Sequence, residues 1–344
     1  MRSEANIKAT IKTVAAEAGV SITTVSRYFN HPESVIPETQ NRIQAAIAKT
    51  GYIQNLAASG LKSKNSRIQL LFVPDICNPF YSTIAKRLQT LCNENGSILM
   101  VFDTFEKVSQ ELEAISMARQ VNASGIYAAS VYADRKVISQ LAGLEIPVVG
   151  INSYPAGVPF DAVCVHHLGG TCLAVRHLIQ LGHTEIAFAG GTPGSVIGES
   201  RKNGYLYAMK EAGLPVRKGM ICEEGFSEAD GYRTGIHLAN DGKLPTAICC
   251  ANDLVAFGVI RALREMGLSV PGAVSVTGMD DTPFASISQP QLTTVTNDGA
   301  LFAEKAFEMM RSHTENRSEA RFVEVPNELI IRESTSAPRI TRSR

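Results

Sequence analysis

The chain has 344 residues, of which 44% are hydrophobic, with a formal net charge of zero and seven cysteines. This length suits two or three domains, and the composition is that of a globular protein with sizeable cores. No apolar run approaches the roughly 20 residues that span a bilayer, and residues 1–10 lack the apolar core of a signal peptide, so we expect a cytoplasmic protein. The odd cysteine count, without Cys-x-x-Cys spacing, argues against a disulfide framework or a zinc site.

The zero net charge conceals an uneven distribution. Residues 1–66 contain eight basic and four acidic residues, so the remaining chain must be net acidic. A basic head on an acidic body indicates that only the head binds a polyanion.

Three short helices are predicted at the N-terminus. Thr10 and Ser21 can cap the first two, Pro37 opens the third, and Gly19 and Gly51 end the first and third. Their apolar faces are Ile11, Val14, Ala15 and Ala18; Val25, Tyr28 and Phe29; and Ile43, Ala46 and Ile47. Two helices joined by a glycine turn form a helix-turn-helix, which either binds DNA or serves as an interaction module.

The rest of the chain alternates between strand-like and helix-like segments. Residues 54–66 are rich in Ala, Ser, Gly, Lys and Asn, as in a linker. Apolar runs then lie at 68–73, 98–102, 125–129, 147–151, 186–189, 247–251 and 274–278, with further strands near 292–296 and 322–332 around a helix at 301–312. This alternation predicts mostly parallel sheets with helices on both faces, and it is long enough for two sheets, at about 67–160 and 163–290.

The segment IKTVAAEAGVSITTVSRYFN, residues 11–30, closely resembles the N-terminal signature of the LacI/GalR family of bacterial transcription regulators. The resemblance continues in chain order almost to the C-terminus. It is carried by GYIQN (51–55), NPFY (78–81), LGH (181–183), Arg201 with Gly204-Tyr205, AND (251–253), GMDD (278–281) and LTTV (292–295).

The resemblance implies a helix-turn-helix headpiece, a hinge helix, and a core like the type I periplasmic binding proteins. In that core two mostly parallel α/β subdomains are joined by three crossovers, expected here near 160–163, 289–293 and 326–328. The expected parts are a headpiece at 1–53, a hinge at 54–66, an N-terminal subdomain at 67–160 plus 292–326, a C-terminal subdomain at 163–290 plus 327–333, and a disordered tail at 334–344.

The second helix of a helix-turn-helix places its side chains in the major groove. Ile22 can contact a thymine methyl group, Arg27 can bond guanine or phosphate, and short hydroxyl side chains can bond phosphate oxygens. The candidate DNA-binding residues of the headpiece are Ser21, Ile22, Thr23, Thr24, Ser26, Arg27 and Asn30. The resemblance adds Asn55, Ala58 and Leu61 of the hinge, with Leu61 as a wedge in the minor groove.

Two positions depart from the family pattern in ways that bear on stability. Gly60 interrupts the hinge helix, where glycine costs roughly 1 kcal/mol relative to alanine. Ile36 replaces the usual Ser or Thr cap before Pro37.

A small effector is expected in the cleft between the subdomains, where ligands of open α/β sheets bind. Sugar hydroxyl groups need hydrogen-bond donors and acceptors beside an aromatic face, so a sugar or sugar derivative is the expected ligand. The candidate effector-binding residues are Phe80, Tyr81, Asp103, Arg201, Phe226, Asn252 and Asp280. Asn252 can instead cap the following helix, Asp253 is expected mainly to do so, and Asp281 can cap or pair structurally.

His166 and His167 stand where relatives usually carry Asp-Asn. They can form a metal site or a proton switch. Alternatively, they lie at the edge of the cleft or cap the next helix.

These observations predict a repressor that releases a palindromic operator, as double-stranded DNA, when the effector binds. A regulator that requires a corepressor or a partner protein is the alternative within the family, and a solute-binding protein is a remote one. No catalytic or phosphate-binding motif is found, so neither an enzyme nor a cofactor is expected. Twofold operators suit homodimers, and residues 333–344 contain no leucine for a tetramerising heptad helix.

Overall fold

The computed structural model describes residues 9–30, 32–53, 66–240, 244–313 and 319–339, with only the backbone of Asn30. The chain divides into two compact units, Met1–Ser66 and Arg67–Arg344. In the described ranges, no helix combines the length and apolar character that a membrane crossing requires.

The first unit is helical, as predicted. It contains α1 (Ile11–Ala18), α2 (Ile22–Asn30), a short 3-10 turn and α3 (Pro37–Thr50). Thr10 caps α1 by accepting the Thr13 N–H at 3.3 Å, and Gly19 ends α1 with a left-handed φ of 61°. The predicted apolar faces meet in one small core, with Val14, Val25 and Ile43 fully buried.

The second unit consists of alternating strands and helices. Its strands are β1 (Ile68–Val73), β2 (Ile98–Asp103), β3 (Gly125–Ala129), β4 (Val148–Asn152), β5 (Asp161–Val165), β6 (Ile186–Ala189), β7 (Ile221–Cys222), β8 (Ala247–Cys250), β9 (Ser275–Asp280), β10 (Thr293–Thr296), β11 (Phe322–Val325) and β12 (Leu329–Ile330). Its helices are α4 (Pro79–Glu94), α5 (Val108–Gln120), α6 (Arg135–Ala142), α7 (His167–Gln180), α8 (Val196–Glu211), α9 (Glu228–Asn240), α10 (Asp253–Glu265) and α11 (Gly299–Arg311).

The strands form two sheets, each with helices on both faces. The first has the order β11-β5-β4-β3-β1-β2 and the second β12-β10-β9-β8-β6-β7. Every neighbouring pair is parallel except β10 with β12. Helices α4 and α11 cover one face of the first sheet and α5 and α6 the other, while α9 and α10 oppose α7 and α8 across the second sheet.

The described chain passes between the sheets three times, as expected, but two crossovers lie later than predicted. Strand β5 belongs to the first sheet, so the first crossover follows residue 165 rather than lying at 160–163. Strand β10 belongs to the second sheet, so the second crossover follows residue 296 rather than lying at 289–293. The boundaries 67–160 and 292–326 are therefore wrong at these ends, whereas the third crossover lies at 326–328 as predicted.

The start of the expected disordered tail is ordered. The side chain of Ser334 is fully buried, its backbone oxygen accepts the Val276 N–H at 2.9 Å, and its hydroxyl accepts the Thr293 N–H at 2.8 Å. The Ser336 N–H donates to the Ser275 hydroxyl at 3.0 Å. Residues 334–336 thus fasten the end of the chain to β9 and β10.

Candidate ligand cleft and nucleic-acid interface

Helix α2 presents a polar face opposite its buried side. Thr23, Ser26 and Arg27 recur at the i, i+3, i+4 spacing that aligns side chains on one helix face, and Val25 points to the core on the other. Thr23 and Arg27 are exposed, and Ser26 is half-buried. The face is therefore accessible to a polyanionic partner.

The start of α2 is held by its own hydroxyl groups. Ser21 accepts the Thr24 N–H at 3.0 Å, and the two hydroxyl oxygens lie 2.8 Å apart. Ile22 beside them is 45% exposed, so a partner can contact its side chain. The Asn30 side chain and the hinge residues Asn55, Ala58 and Leu61 lie outside the described part of the chain.

A cleft lies between the two sheets of the second unit, and it brings together six of the seven predicted effector residues. Its lining follows the carboxyl ends of strands from both sheets, where open α/β sheets bind ligands. The lining residues are Pro74, Asp75, Asn78, Phe80, Tyr81, Glu106, Val131, Asn152, Ile197, Arg201, Phe226, Asn252 and Asp280.

Arg201 and Asp280 form a buried pair in the cleft. One guanidinium nitrogen of Arg201 lies 3.3 Å from a carboxylate oxygen of Asp280, and another donates to the backbone oxygen of Ala251. Asn297 donates to the same Asp280 oxygen at 2.7 Å. Burial raises the pKa of Asp280, while Arg201 lowers it. The Nε of Arg201 has no partner among the described residues, so a donor remains for a ligand.

Asn252 is positioned by the fold rather than left open to a ligand. It is the N-cap of α10, where its side-chain oxygen accepts the Val255 N–H at 2.8 Å. Its amide nitrogen donates to the backbone oxygen of Phe226 at 2.9 Å. Both ends of the amide are engaged, which makes Asn252 a support for the half-buried ring of Phe226.

Asp253 does not have the capping role predicted for it. It is fully buried and accepts the Thr282 N–H at 2.7 Å and the Thr294 hydroxyl at 2.6 Å. Burial raises its pKa to about 8. Asp253 therefore connects α10 to β10 and to the loop after β9. The neighbouring Asp281 forms an ion pair with Arg332 at 2.7 Å.

Asp103 is absent from the cleft lining of the described residues, so its prediction as an effector ligand is not supported. Its two carboxylate oxygens accept the backbone N–H groups of Ile76 at 3.0 Å and Phe105 at 2.8 Å. The side chain therefore fixes the loops after β1 and β2.

The predicted aromatic wall is mostly buried. The rings of Phe80 and Tyr81 meet edge to face with centroids 5.1 Å apart, and Phe80 also packs against Phe302 at 5.4 Å. The Tyr81 hydroxyl lies 3.5 Å from the amide nitrogen of Asn152, and burial raises the pKa of Tyr81. These rings form the base of the cleft.

His167 is buried beside the cleft, and His166 is exposed. The Nε2 of His167 lies 2.9 Å from the backbone oxygen of Asn152, so the hydrogen must be on Nε2. Burial, followed by the positive charge of Arg201, lowers the pKa of His167 to about 3, which disfavours the proton-switch interpretation. His166 occupies the N-cap position of α7 without a side-chain cap bond. In the described part of the chain no cluster of three metal-ligating side chains includes either histidine.

Sequence reasoning missed Asp75, Glu106 and Asn152 in the cleft. Each follows the carboxyl end of a first-sheet strand or lies in its last position. Glu106 and Asn152 have φ values of 53° and 73°, which turn the backbone sharply after the strand. Polar residues after strand ends are the signal that could have identified them.

Comparisons with known proteins agree with this architecture. The family described as bacterial regulatory proteins, lacI family, matches residues 10–55, and a periplasmic binding protein-like domain matches residues 175–335. The regulator DegA of Bacillus subtilis is 33% identical over 335 residues, 96% of this chain and 99% of that protein. The repressor PurR of Glaesserella parasuis is 31% identical, covering 95% of this chain and 98% of that protein.

Solved structures lead to the same conclusion. The lac repressor dimer bound to operator and an anti-inducer superposes with a TM-score of 0.84 at 27% identity, covering 96% of this chain and 99% of that chain. The complex of the regulator CelR with cellobiose gives a TM-score of 0.70 at 26% identity, covering 95% and 99%. The chain belongs to the LacI family of bacterial regulatory proteins and is a DNA-binding transcription regulator.

Proposed function

We propose that this chain is a repressor that binds a palindromic operator as a homodimer and releases it when a small ligand occupies the cleft. The observation that carries the proposal is a cleft between two subdomains in which buried Arg201 and Asn152 each have an unpartnered polar atom. A buried polar atom without a partner is costly, so a ligand that satisfies both is favoured. We expect the protein in the cytoplasm, associated with the nucleoid when bound to DNA.

A sugar or sugar derivative is the ligand that the cleft chemistry favours. Arg201, Asp280 and Asn152 supply donors and acceptors, and the Phe226 ring offers an apolar face. The relative CelR was solved with cellobiose, which supports a carbohydrate here. A nucleobase is the second class to test.

Contacts across the cleft join the two subdomains. The Val196 N–H of the second subdomain donates to the Val131 oxygen of the first at 2.9 Å, and the Thr192 hydroxyl lies 3.4 Å from a carboxylate oxygen of Glu106. A ligand with different affinities for two arrangements of the subdomains shifts their populations. The same linkage permits a corepressor, which tightens operator binding, or control by a partner protein. The sign of a ligand titration distinguishes an inducer from a corepressor.

The test uses an operator selected from random duplexes by the full-length protein and a ligand found by thermal shift among sugars, sugar derivatives and nucleobases. Arg201→Lys keeps a positive charge near Asp280 but removes the Nε donor and the planar fork. Losing a charged hydrogen bond costs about 1.5–3 kcal/mol, so ligand affinity should fall roughly 10- to 150-fold while operator affinity without ligand is retained.

The matched control is Arg176→Lys, in an exposed ion pair with Glu211 at 2.8 Å, which should change neither affinity. Calorimetry gives ligand affinity, and fluorescence anisotropy gives operator affinity. Unchanged ligand affinity in Arg201→Lys would remove Arg201 from the site, and a ligand that binds without altering operator affinity would contradict the regulatory proposal.

A further inference from the structure

The cleft has an excess of negative charge. Asp75, Glu106 and Asp280 line it, and Arg201 is the only cation in the lining that the structure describes. The positive charge of Arg201 is already engaged by Asp280 at 3.3 Å, within a pair whose side chains are 3% and 5% exposed. Asp75 and Glu106 are therefore left without a cation in the lining.

Glu106 is the centre of this acidic region, and carboxylates from both subdomains surround it. Burial raises the pKa of Glu106, the Thr192 hydroxyl lowers it, and Asp75, Asp230 and Asp103 raise it further. Asp230 is contributed by α9 of the second subdomain and pairs with the exposed Arg233, whereas Asp103 accepts two backbone N–H groups. Within this group, Glu106 accepts only a long contact of 3.4 Å from Thr192.

The floor of the same cleft contains buried polar atoms that lack partners. The side chains of Arg201 and Asn152 are 3% exposed, and among the described residues neither the Arg201 Nε nor the Asn152 Oδ1 has a hydrogen-bond partner. One is a donor and the other an acceptor, so a ligand that offers both kinds of group satisfies both atoms. These atoms point to a bound ligand independently of the acidic residues.

We infer that the cleft selects a polyhydroxylated ligand that carries a protonated amino group, as an amino sugar does, and rejects phosphorylated or carboxylated sugars. The amino group lies against Glu106 and Asp75, while a hydroxyl group meets the Arg201 Nε and the Asn152 Oδ1. The inference rests on the proposed function in taking the cleft as the effector site. An anionic ligand would place like charges together in a partly desolvated space, which is strongly unfavourable.

The experiment compares three matched series by calorimetry at pH 7 on the full-length protein. Each series is a hexose, its 2-amino form and its 6-phosphate: glucose, glucosamine and glucose 6-phosphate, and the same members for galactose and mannose. In at least one series, the amino sugar should bind about tenfold or more tightly than the hexose, as expected for one charged hydrogen bond, and the phosphate should show no binding.

Glu106→Gln keeps the shape of the side chain and removes its charge. The ratio of the affinity for the amino sugar to the affinity for the hexose should therefore fall close to one. Glu113→Gln, an exposed glutamate on α5, is the matched control and should preserve the preference. The inference is overturned if the members of every series bind with equal affinity, or if none of them binds. It is also overturned if a sugar phosphate binds best, or if Glu106→Gln retains the preference for the amino sugar. Operator affinity is measured separately, and an amino sugar that binds without changing it contradicts the proposed function but not the selectivity.

Discussion

Glu111 on α5 is a buried carboxyl group outside the cleft. Its side chain is inaccessible to solvent, one carboxylate oxygen accepts the Ser130 hydroxyl at 2.7 Å, and the other has no partner among the described residues. Burial raises its pKa from 4.5 to about 7. The residue is therefore protonated in the folded protein at a pH where it is ionised in the unfolded chain.

We predict that Glu111→Gln removes a pH dependence of stability. Between about pH 4.5 and 7, unfolding releases the proton of Glu111, so the wild type loses stability as pH rises through this window. The slope for one group is at most about 1.4 kcal/mol per pH unit. The free energy of unfolding of the variant minus that of the wild type should therefore increase up to about pH 7 and then level off.

Urea denaturation of the full-length protein at several pH values measures this difference. Glu113→Gln on the exposed face of α5 is the control and should give a difference independent of pH. If the difference between Glu111→Gln and the wild type did not change with pH, the buried carboxyl group would already be ionised in the folded protein.

At the residue scale, the sequence identified side chains whose chemistry is evident from the motif that contains them. Arg201 and Asp280 lie in family motifs and meet in the cleft. Asp103 is the last residue of its strand, as Asp280 is, yet its oxygens accept the Ile76 N–H from the loop after β1 and the Phe105 N–H from the turn after β2. Glu106 lines the cleft from a turn in which its φ is positive, and an ordinary sequence pattern does not show such a turn.

At the element scale, α3 begins without a side-chain cap. Ile36 occupies the N-cap position with φ −62° and ψ 144°, makes no side-chain cap hydrogen bond and is 65% exposed. The N–H groups of a first helical turn lack intrahelical partners, and a serine hydroxyl can accept one of them. Because Ile36 has no such acceptor, α3 lacks the stabilisation that a capping side chain provides.

We predict that Ile36→Ser stabilises α3 relative to Ile36→Ala by about 0.5–2 kcal/mol. The alanine variant is the matched control because it removes the same exposed side chain without supplying an acceptor. Hydrogen exchange of the α3 amides in the full-length protein measures the difference. Equal protection in the two variants would mean that the hydroxyl does not reach the first turn.

The long apolar strands, the amphipathic helices and the short strands near the C-terminus were predictable from the sequence, whereas β5 and β7 were not. Strand β5 follows the Pro- and Gly-containing stretch 155–159 and lies beyond the subdomain end predicted at residue 160. It is buried between β4 and β11, and Asp161 is held by the Arg321 guanidinium. Strand β10 lies in the predicted range 292–296, but it belongs to the second sheet, where the Thr294 hydroxyl donates to Asp253, a neighbour that only the fold brings near.

At the scale of the whole molecule, the polar face of α2 and the cleft belong to different compact units. In the sequence, residues 54–66 link the headpiece to the cleft-containing unit, so in the proposed function this segment is one route by which a ligand affects operator binding. The resemblance to the LacI/GalR family implies that this hinge folds into a helix on DNA. Free energy spent on folding a segment during binding is subtracted from the affinity.

Gly60 lies outside the described residues, and its expected effect follows from the sequence. We predict that Gly60→Ala lowers the cost of hinge-helix formation by up to about 1 kcal/mol per subunit, so that a dimer binds its operator up to about 30-fold more tightly. Release by ligand should become harder, because the ligand must oppose a more stable DNA-bound state.

Leu61→Ala is the companion variant and should reduce the difference in affinity between operator and random DNA by removing the wedge. Fluorescence anisotropy with the selected operator measures both variants. Weaker binding by Gly60→Ala would show that this position needs glycine for its backbone conformation or for a close approach, rather than tolerating it at a cost to affinity.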